Sequence, residues 1–169
     1  MSAPYFYRYT DADVQLALEC GEKRVHDAVA VGAVDGFGED STESHYHGAL
    51  GEIAVAAMLK VPWICHSRRW NKPDVGRYEV RAIGPRNKWP EVKTKINDKD
   101  NTPIMAVMLV AGVKTGGEIE IGVVMGWTTP LEIRDFGTNK DPGNRGKPSW
   151  FARLDILDTH IPETDGELP

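Results

Sequence analysis

The first third of the chain carries two stretches of helix-type apolar spacing. After Thr10 and Asp13, which together resemble a capped helix start, apolar side chains recur at helical spacing for several turns. This spacing predicts a first helix, with Gly21 as a point where it could break. Residues 49–59 are all apolar or glycine except Glu52, and a segment that is apolar on every side is typical of a buried helix.

Alternating and continuous apolar runs predict β-strands farther along the chain. Tyr78–Ile83 and Glu91–Ile96 alternate and are predicted to pair as a hairpin, whereas Ile104–Val110 is continuously apolar, as expected of a central strand. Glu118–Trp127 predicts one more long strand. Helices followed mainly by strands predict an α+β fold, with a mixed β-sheet flanked by helices.

The length and composition of the chain are typical of an ordinary globular domain. It has 169 residues, 41% hydrophobic and 27% charged, and no apolar run approaches the roughly 18 residues that a membrane helix needs. We expect one domain over residues 1–169, with an irregular loop at about 137–149 and an acidic tail at 158–169 that frays. Cys20 and Cys65 are too few for a disulfide framework, so the expected setting is the reducing cytoplasm.

Charge is distributed unevenly along the chain. The net charge is −5, yet the segment from His66 to Lys99 holds ten Lys and Arg against four Asp and Glu. A basic segment of this kind favours a polyanionic partner such as nucleic acid, although solvated outer faces of strands would give the same composition. The residues expected to contact nucleic acid are Arg68, Arg69, Lys93 and Lys95.

Two carboxylates and a guanidinium are close together in the sequence at the start of the strand Tyr78–Ile83. Glu79 and Arg81 are two residues apart and therefore share one face of that strand. Asp74 would lie on the opposite face unless the chain bends at Gly76, in which case the two carboxylates converge. Acidic oxygens beside a cation suit a divalent metal and a phosphate. Glu52 is a candidate to join them; otherwise it is a glutamate that lies at a rim or forms a salt bridge with one arginine.

The sequence Pro73-Asp74, followed by Glu79-Val80-Arg81, resembles the signature of the PD-(D/E)XK nuclease superfamily. The wider pattern Asp-Val-Gly-x-x-Glu-Val-Arg, followed by an Asp-rich loop, a strand and Gly-Trp, is similar to small phage-encoded members. The resemblance implies a restriction-endonuclease-like core and metal-dependent hydrolysis of phosphodiester bonds, with DNA favoured, in the cytoplasm of a bacterial host. It also implies that Mg²⁺ or Mn²⁺ is held by Asp74, Glu79, the Val80 carbonyl and Glu52, and that a homodimer can form.

Arg81 is where the chain departs from the superfamily pattern, which has lysine at that position. Arginine stays protonated and cannot transfer a proton, but it can clamp a phosphate. Glu91-Val92-Lys93 offers a second, intact frame, and Lys93 could also reach across the predicted hairpin. Two further alternatives stay open: a decayed nuclease that binds nucleic acid or protein, and a structural protein in which Glu79 and Arg81 are a plain ion pair.

Overall fold

The computed structural model describes residues 2–32, 41–66, 72–87, 90–95, 98–112, 118–141, 146 and 148–161. The helices are α1 (Asp11–Ala30), α2 (Ser41–Leu59) and α3 (Pro130–Phe136). The strands are β1 (Tyr5–Arg8), β2 (Glu79–Ile83), β3 (Glu91–Lys95), β4 (Ile104–Ala111), β5 (Ile119–Thr128), β6 (Thr138–Lys140) and β7 (Ser149–Arg153). The predicted α+β class is confirmed. Among the described helices, none has the length and apolar character to cross a membrane.

Helix α1 begins as the sequence predicts and does not break. The Thr10 hydroxyl accepts the Asp13 amide at 3.2 Å, and the Asp13 carboxylate accepts the Thr10 amide at 2.8 Å, which completes a capping box. The expected break at Gly21 was wrong, because this glycine serves the contact with α2. A Cβ there would lie 3.1 Å from the backbone nitrogen of Tyr46, so the missing side chain lets the two helices approach closely.

Four strands form a mixed sheet in the order β1-β5-β4-β2. Strand β5 pairs antiparallel with both β1 and β4, whereas β2 lies parallel to β4 at the edge, with Val80 opposite Met105. Helix α2 packs across this sheet through Gly51, where a Cβ would lie 3.3 Å from Val80 Cγ1. The helix therefore crosses β2 closely, and its buried apolar residues join the main core.

A second, antiparallel sheet has the order β3-β7-β6. The predicted hairpin between the second and third strands was therefore wrong, since β2 pairs with β4 and β3 pairs with β7. Alternation defines a strand and its buried face, but it does not choose the partner. Val92 on β3 instead packs with Ile133 and Ala152 in a separate small core. The predicted irregular loop at 137–149 was also wrong in part, because it contains β6.

The two cysteines form a disulfide, although two cysteines were too few to predict a disulfide framework. Cys20 on α1 and Cys65 beyond α2 are bonded with their Cα atoms 5.7 Å apart. The two residues are 45 positions apart in sequence, and only the packing of α1 against α2 brings them together. This pairing could not be deduced from the sequence alone.

The predicted acidic tail is docked over its first residues. Asp158 and Trp127 exchange two backbone hydrogen bonds of 2.8 and 3.0 Å, and Ile161 is fully buried in the main core. Residues 158–161 therefore do not fray, because a buried side chain and paired backbone groups hold them. Residues 162–169 lie outside the described part of the chain.

Candidate functional site

A tight turn before β2 brings Asp74 back to the strand. Val75 and Tyr78 exchange backbone hydrogen bonds of 3.1 and 2.9 Å around Gly76, whose φ of +57° lies in the left-handed region that glycine adopts without strain. Asp74 Oδ2 then accepts the backbone N–H of Val80 at 2.8 Å. The bend predicted at Gly76 is present, and it places Asp74 beside the first residues of β2.

Glu79 lies at the start of β2 and interacts with Asp74 electrostatically. Burial raises the pKa of the Glu79 carboxyl, and the negative charge of Asp74 raises it further, while Arg81 acts in the opposite direction. The side chain of Glu79 is 28% exposed, so water still reaches it. A carboxylate whose ionised form is disfavoured by a neighbouring carboxylate marks a place where an added cation would be stabilised.

Arg81 shares the face of Glu79, as the strand pattern predicted. Its Nη1 donates to Glu79 Oε2 at 3.2 Å and to the carbonyl oxygen of Val80 at 3.3 Å, while Nη2 donates to Asp98 Oδ2 at 3.3 Å. The guanidinium thus contacts two of the oxygen-bearing groups that the superfamily resemblance assigns to a metal. It also shows the ion pair with Glu79 that the structural alternative expected.

Asp98 is a member of this cluster that the sequence did not single out. Its Oδ2 accepts the Thr94 hydroxyl and the Lys95 amide, each at 2.8 Å, in addition to Arg81. Burial would raise the pKa of Asp98, but the hydrogen bonds from Lys95 and Thr94 and the positive charge of Arg81 outweigh it and hold the pKa below its usual range. Asp98 is therefore ionised and fixed in place at neutral pH.

The loop that carries Asp98 is tied to α3. Arg134 forms an ion pair with Asp100, and its Nη1 lies 3.5 Å from the carbonyl oxygen of Asp98. Leu131 donates its amide to the carbonyl oxygen of Asp100 at 3.3 Å. The only sequence signal for Asp98 was a polar loop after a strand, and its approach to Arg81 depends on the second sheet.

Glu52 lies on α2 with 4% of its surface exposed and is held by two donors. Its Oε2 accepts Arg24 Nη2 at 2.8 Å and the indole N–H of Trp63 at 3.1 Å. Burial raises the pKa of Glu52, Arg24 counteracts this, and the negative charge of Asp74 adds to the rise. Glu52 is thus paired with an arginine, as one of the two alternatives expected, and is also electrostatically coupled to Asp74.

The second frame, Glu91-Val92-Lys93, lies on β3 in the other sheet. Both carboxylate oxygens of Glu91 accept Lys140 Nζ, at 2.8 and 2.9 Å. Because β3 does not pair with β2, the hairpin that would have carried Lys93 toward Arg81 is not formed.

The residues predicted to contact nucleic acid are only partly described. Lys93 and Lys95 lie on β3, with Lys95 exposed, while Arg68 and Arg69 fall outside the described ranges. Within the described ranges, no group of three or more His, Cys, Asp and Glu side chains is arranged to hold a metal ion. Asp74 before the turn, Glu79 and Arg81 on β2, and Asp98 form the cluster of β2, and Glu52 on α2 lies near it.

Comparison of the chain with protein-family models, with curated proteins and with solved structures found no match. The superfamily resemblance therefore rests on the residues of the motif themselves.

Proposed function

We propose that this protein is a metal-dependent nuclease of the PD-(D/E)XK type, which hydrolyses phosphodiester bonds with DNA as the favoured substrate. The observation that carries the proposal is the turn at Gly76, which sets Asp74 on the Val80 amide and beside Glu79. The convergence of two carboxylates across a short spacing is what the motif requires. The proposal includes a restriction-endonuclease-like core, a bacterial host cytoplasm and a homodimer as its expected setting.

The donor set around β2 suits Mg²⁺ or Mn²⁺. The carboxylates of Glu79 and Asp98 accept hydrogen bonds from the guanidinium of Arg81, and the carboxylate of Asp74 acts electrostatically on Glu79, so three carboxylates accompany one cation. Hard oxygen donors of this kind are the ligands that these ions prefer. Asp74, Glu79 and the Val80 carbonyl would hold the metal, which when bound supplies a water of lowered pKa and neutralises phosphate charge.

Arg81 and Glu52 have different tasks in this proposal. A guanidinium does not act as a base, so Arg81 serves to orient Glu79 and to attract an anionic phosphate. Glu52 is held by Arg24 and Trp63 close enough for the field of Asp74 to act on its pKa. Its task is therefore to shape the site from the helix side, as a carboxylate already paired with Arg24.

The proposal is tested by cleavage of plasmid DNA, single-stranded DNA and RNA with Mg²⁺ or Mn²⁺, and with EDTA instead of metal. We expect Asp74→Asn and Glu79→Gln each to lower metal-dependent cleavage at least about 100-fold, since each substitution removes one charged ligand of the metal. Glu91→Gln is the matched control, and it should retain cleavage because Glu91 pairs with Lys140 in the second sheet. Full activity in Glu79→Gln, or loss in Glu91→Gln alone, would contradict this choice of frame.

A binding module without catalysis is the second candidate function. The observation in its favour is that Arg81 already donates to Glu79, to the Val80 carbonyl and to Asp98, which leaves these oxygens paired with a built-in cation. A folded protein that cuts none of the three substrates but binds nucleic acid, with an affinity that falls steeply with salt, would support this candidate.

A further inference from the structure

The Cys20–Cys65 disulfide lies close to the groups that hold Glu52. On α1, Cys20 precedes Arg24 by four residues, and residues at this spacing lie on one face of a helix, one above the other. Arg24 donates to Glu52 at 2.8 Å. The α1 end of the disulfide is therefore one helical turn from the principal partner of the buried carboxylate.

The other end of the disulfide belongs to the short segment that supplies the remaining contacts. Cys65 follows Trp63, whose indole donates to Glu52 at 3.1 Å. It precedes His66, whose carbonyl oxygen accepts Arg24 Nε–H at 3.1 Å. This segment has no helix or strand of its own, so side-chain bonds and the disulfide hold it against the helices.

We propose that the disulfide is a redox-sensitive latch, which holds residues 63–66 over Glu52 and whose reduction releases Trp63 from the carboxylate. The proposal is independent of the proposed nuclease activity, since it concerns only the contacts of Glu52. With the latch closed, Glu52 is 4% exposed and doubly hydrogen-bonded. With the latch open, the segment keeps only its hydrogen bonds and the packing of Trp63 and Cys65 against the main core, and water gains access to Glu52.

The reductant is a dithiol. Cys20 is 2% exposed whereas Cys65 is half-buried, so a dithiol thiolate attacks the Cys65 sulfur and displaces the Cys20 thiolate, which takes up a proton. The second thiol of the reductant then attacks the mixed disulfide and releases the Cys65 thiolate, which is also protonated. In total two electrons and two protons pass to the protein, and the dithiol becomes a cyclic disulfide.

The test follows hydrogen exchange at two tryptophan indoles by NMR, before and after treatment with dithiothreitol. Trp63 is the reporter and is assigned with Trp63→Phe. Trp127 is the internal control, because its indole donates to the His160 carbonyl at 2.9 Å and is remote in sequence from the latch. We expect exchange of the Trp63 indole to accelerate at least tenfold on reduction, with the Trp127 rate unchanged. In the double variant Cys20→Ser/Cys65→Ser, the Trp63 indole should exchange as fast as in the reduced protein, and dithiothreitol should not change the rate.

Three results would overturn the latch. Equal acceleration at both indoles would show a general structural cross-link, and no acceleration at either would show that Trp63 is held without the disulfide. Two thiols that alkylate in the native protein, before any reductant is added, would show that the latch does not form. If the serine variant does not fold, the comparison of oxidised and reduced wild-type protein decides the matter, because Trp127 reports whether the fold persists.

Discussion

Removal of the arginine that pairs with Glu52 offers the strongest test of how the helical part of the site is held. In Arg24→Met the long apolar stem is kept while the guanidinium is lost. Side-chain exposure is only 13% for Arg24 and 5% for Glu52, so the remaining carboxylate is left buried with Trp63 as its donor. Breaking a buried pair in this way costs about 3–5 kcal/mol. That is a large part of the roughly 5–15 kcal/mol by which a domain is stable.

The stability that Arg24→Met is expected to lose depends on pH. Burial raises the pKa of Glu52 in the folded protein above its usual value of about 4.5, and loss of Arg24 raises the pKa further. The folded state then binds more protons than the unfolded state between the two pKa values, so stability falls as pH rises through that window. The variant should therefore be least destabilised at acid pH, where Glu52 is neutral in both states.

Urea unfolding between pH 5 and pH 8 measures the effect. Arg24→Met/Glu52→Gln retains an acceptor for Trp63 and should lose this pH dependence, because residue 52 no longer titrates. Arg8→Met is the matched control: Arg8 pairs with Glu120 at 3.8 Å but is 73% exposed, so its loss should cost no more than about 1 kcal/mol. The role assigned to Arg24 is refuted if Arg24→Met loses no more unfolding free energy than Arg8→Met, or if the pH dependence persists in the double variant.

Three other substitutions test local packing, each by thermal and urea unfolding. Gly51→Val would press a side chain against Val80, whose Cγ1 lies 3.3 Å from the position of the new Cβ. This substitution should destabilise the fold by about 1–3 kcal/mol. An unchanged unfolding midpoint would mean that α2 can move away from β2 freely. Gly76→Ala should cost about 1–2 kcal/mol because φ is +57°, and a neutral result would argue against the turn. Tyr9→Phe removes the 2.8 Å hydrogen bond to the Leu50 carbonyl and should cost about 0.5–1.5 kcal/mol, whereas a more stable variant would contradict that bond.

The parts of the fold that depend on neighbouring residues could be predicted from the sequence. The capping box joins Thr10 to Asp13, three positions along the chain, and Glu79 and Arg81 share a face two positions apart. The bend at Gly76 acts within its own turn. Each is fixed by local dihedral preferences and by the period of the element. The last two were also the features on which the motif itself depended.

The parts that depend on distant segments could not be predicted. Asp98 meets Arg81 although β3 pairs with β7 and not with β2, and the alternating pattern of β3 is compatible with either partner. Cys65 meets Cys20 only through helix packing. Strand partners and cross-links of this kind are set by the burial of whole faces, which a single sequence does not assign.

The cluster of β2 is assembled from residues of both sheets. The turn from Asp74 to Val80 closes over six residues and belongs to the large sheet, whereas Asp98 is held by the second sheet and α3. Proteins open in cooperative units of unequal stability. Transient opening of the second sheet alone would withdraw Asp98 while β2 and its turn stay folded. Arg81 would then gain a free donor for an incoming anion, at the cost of the contacts that the small core makes with Ile104 and Ala106 of β4.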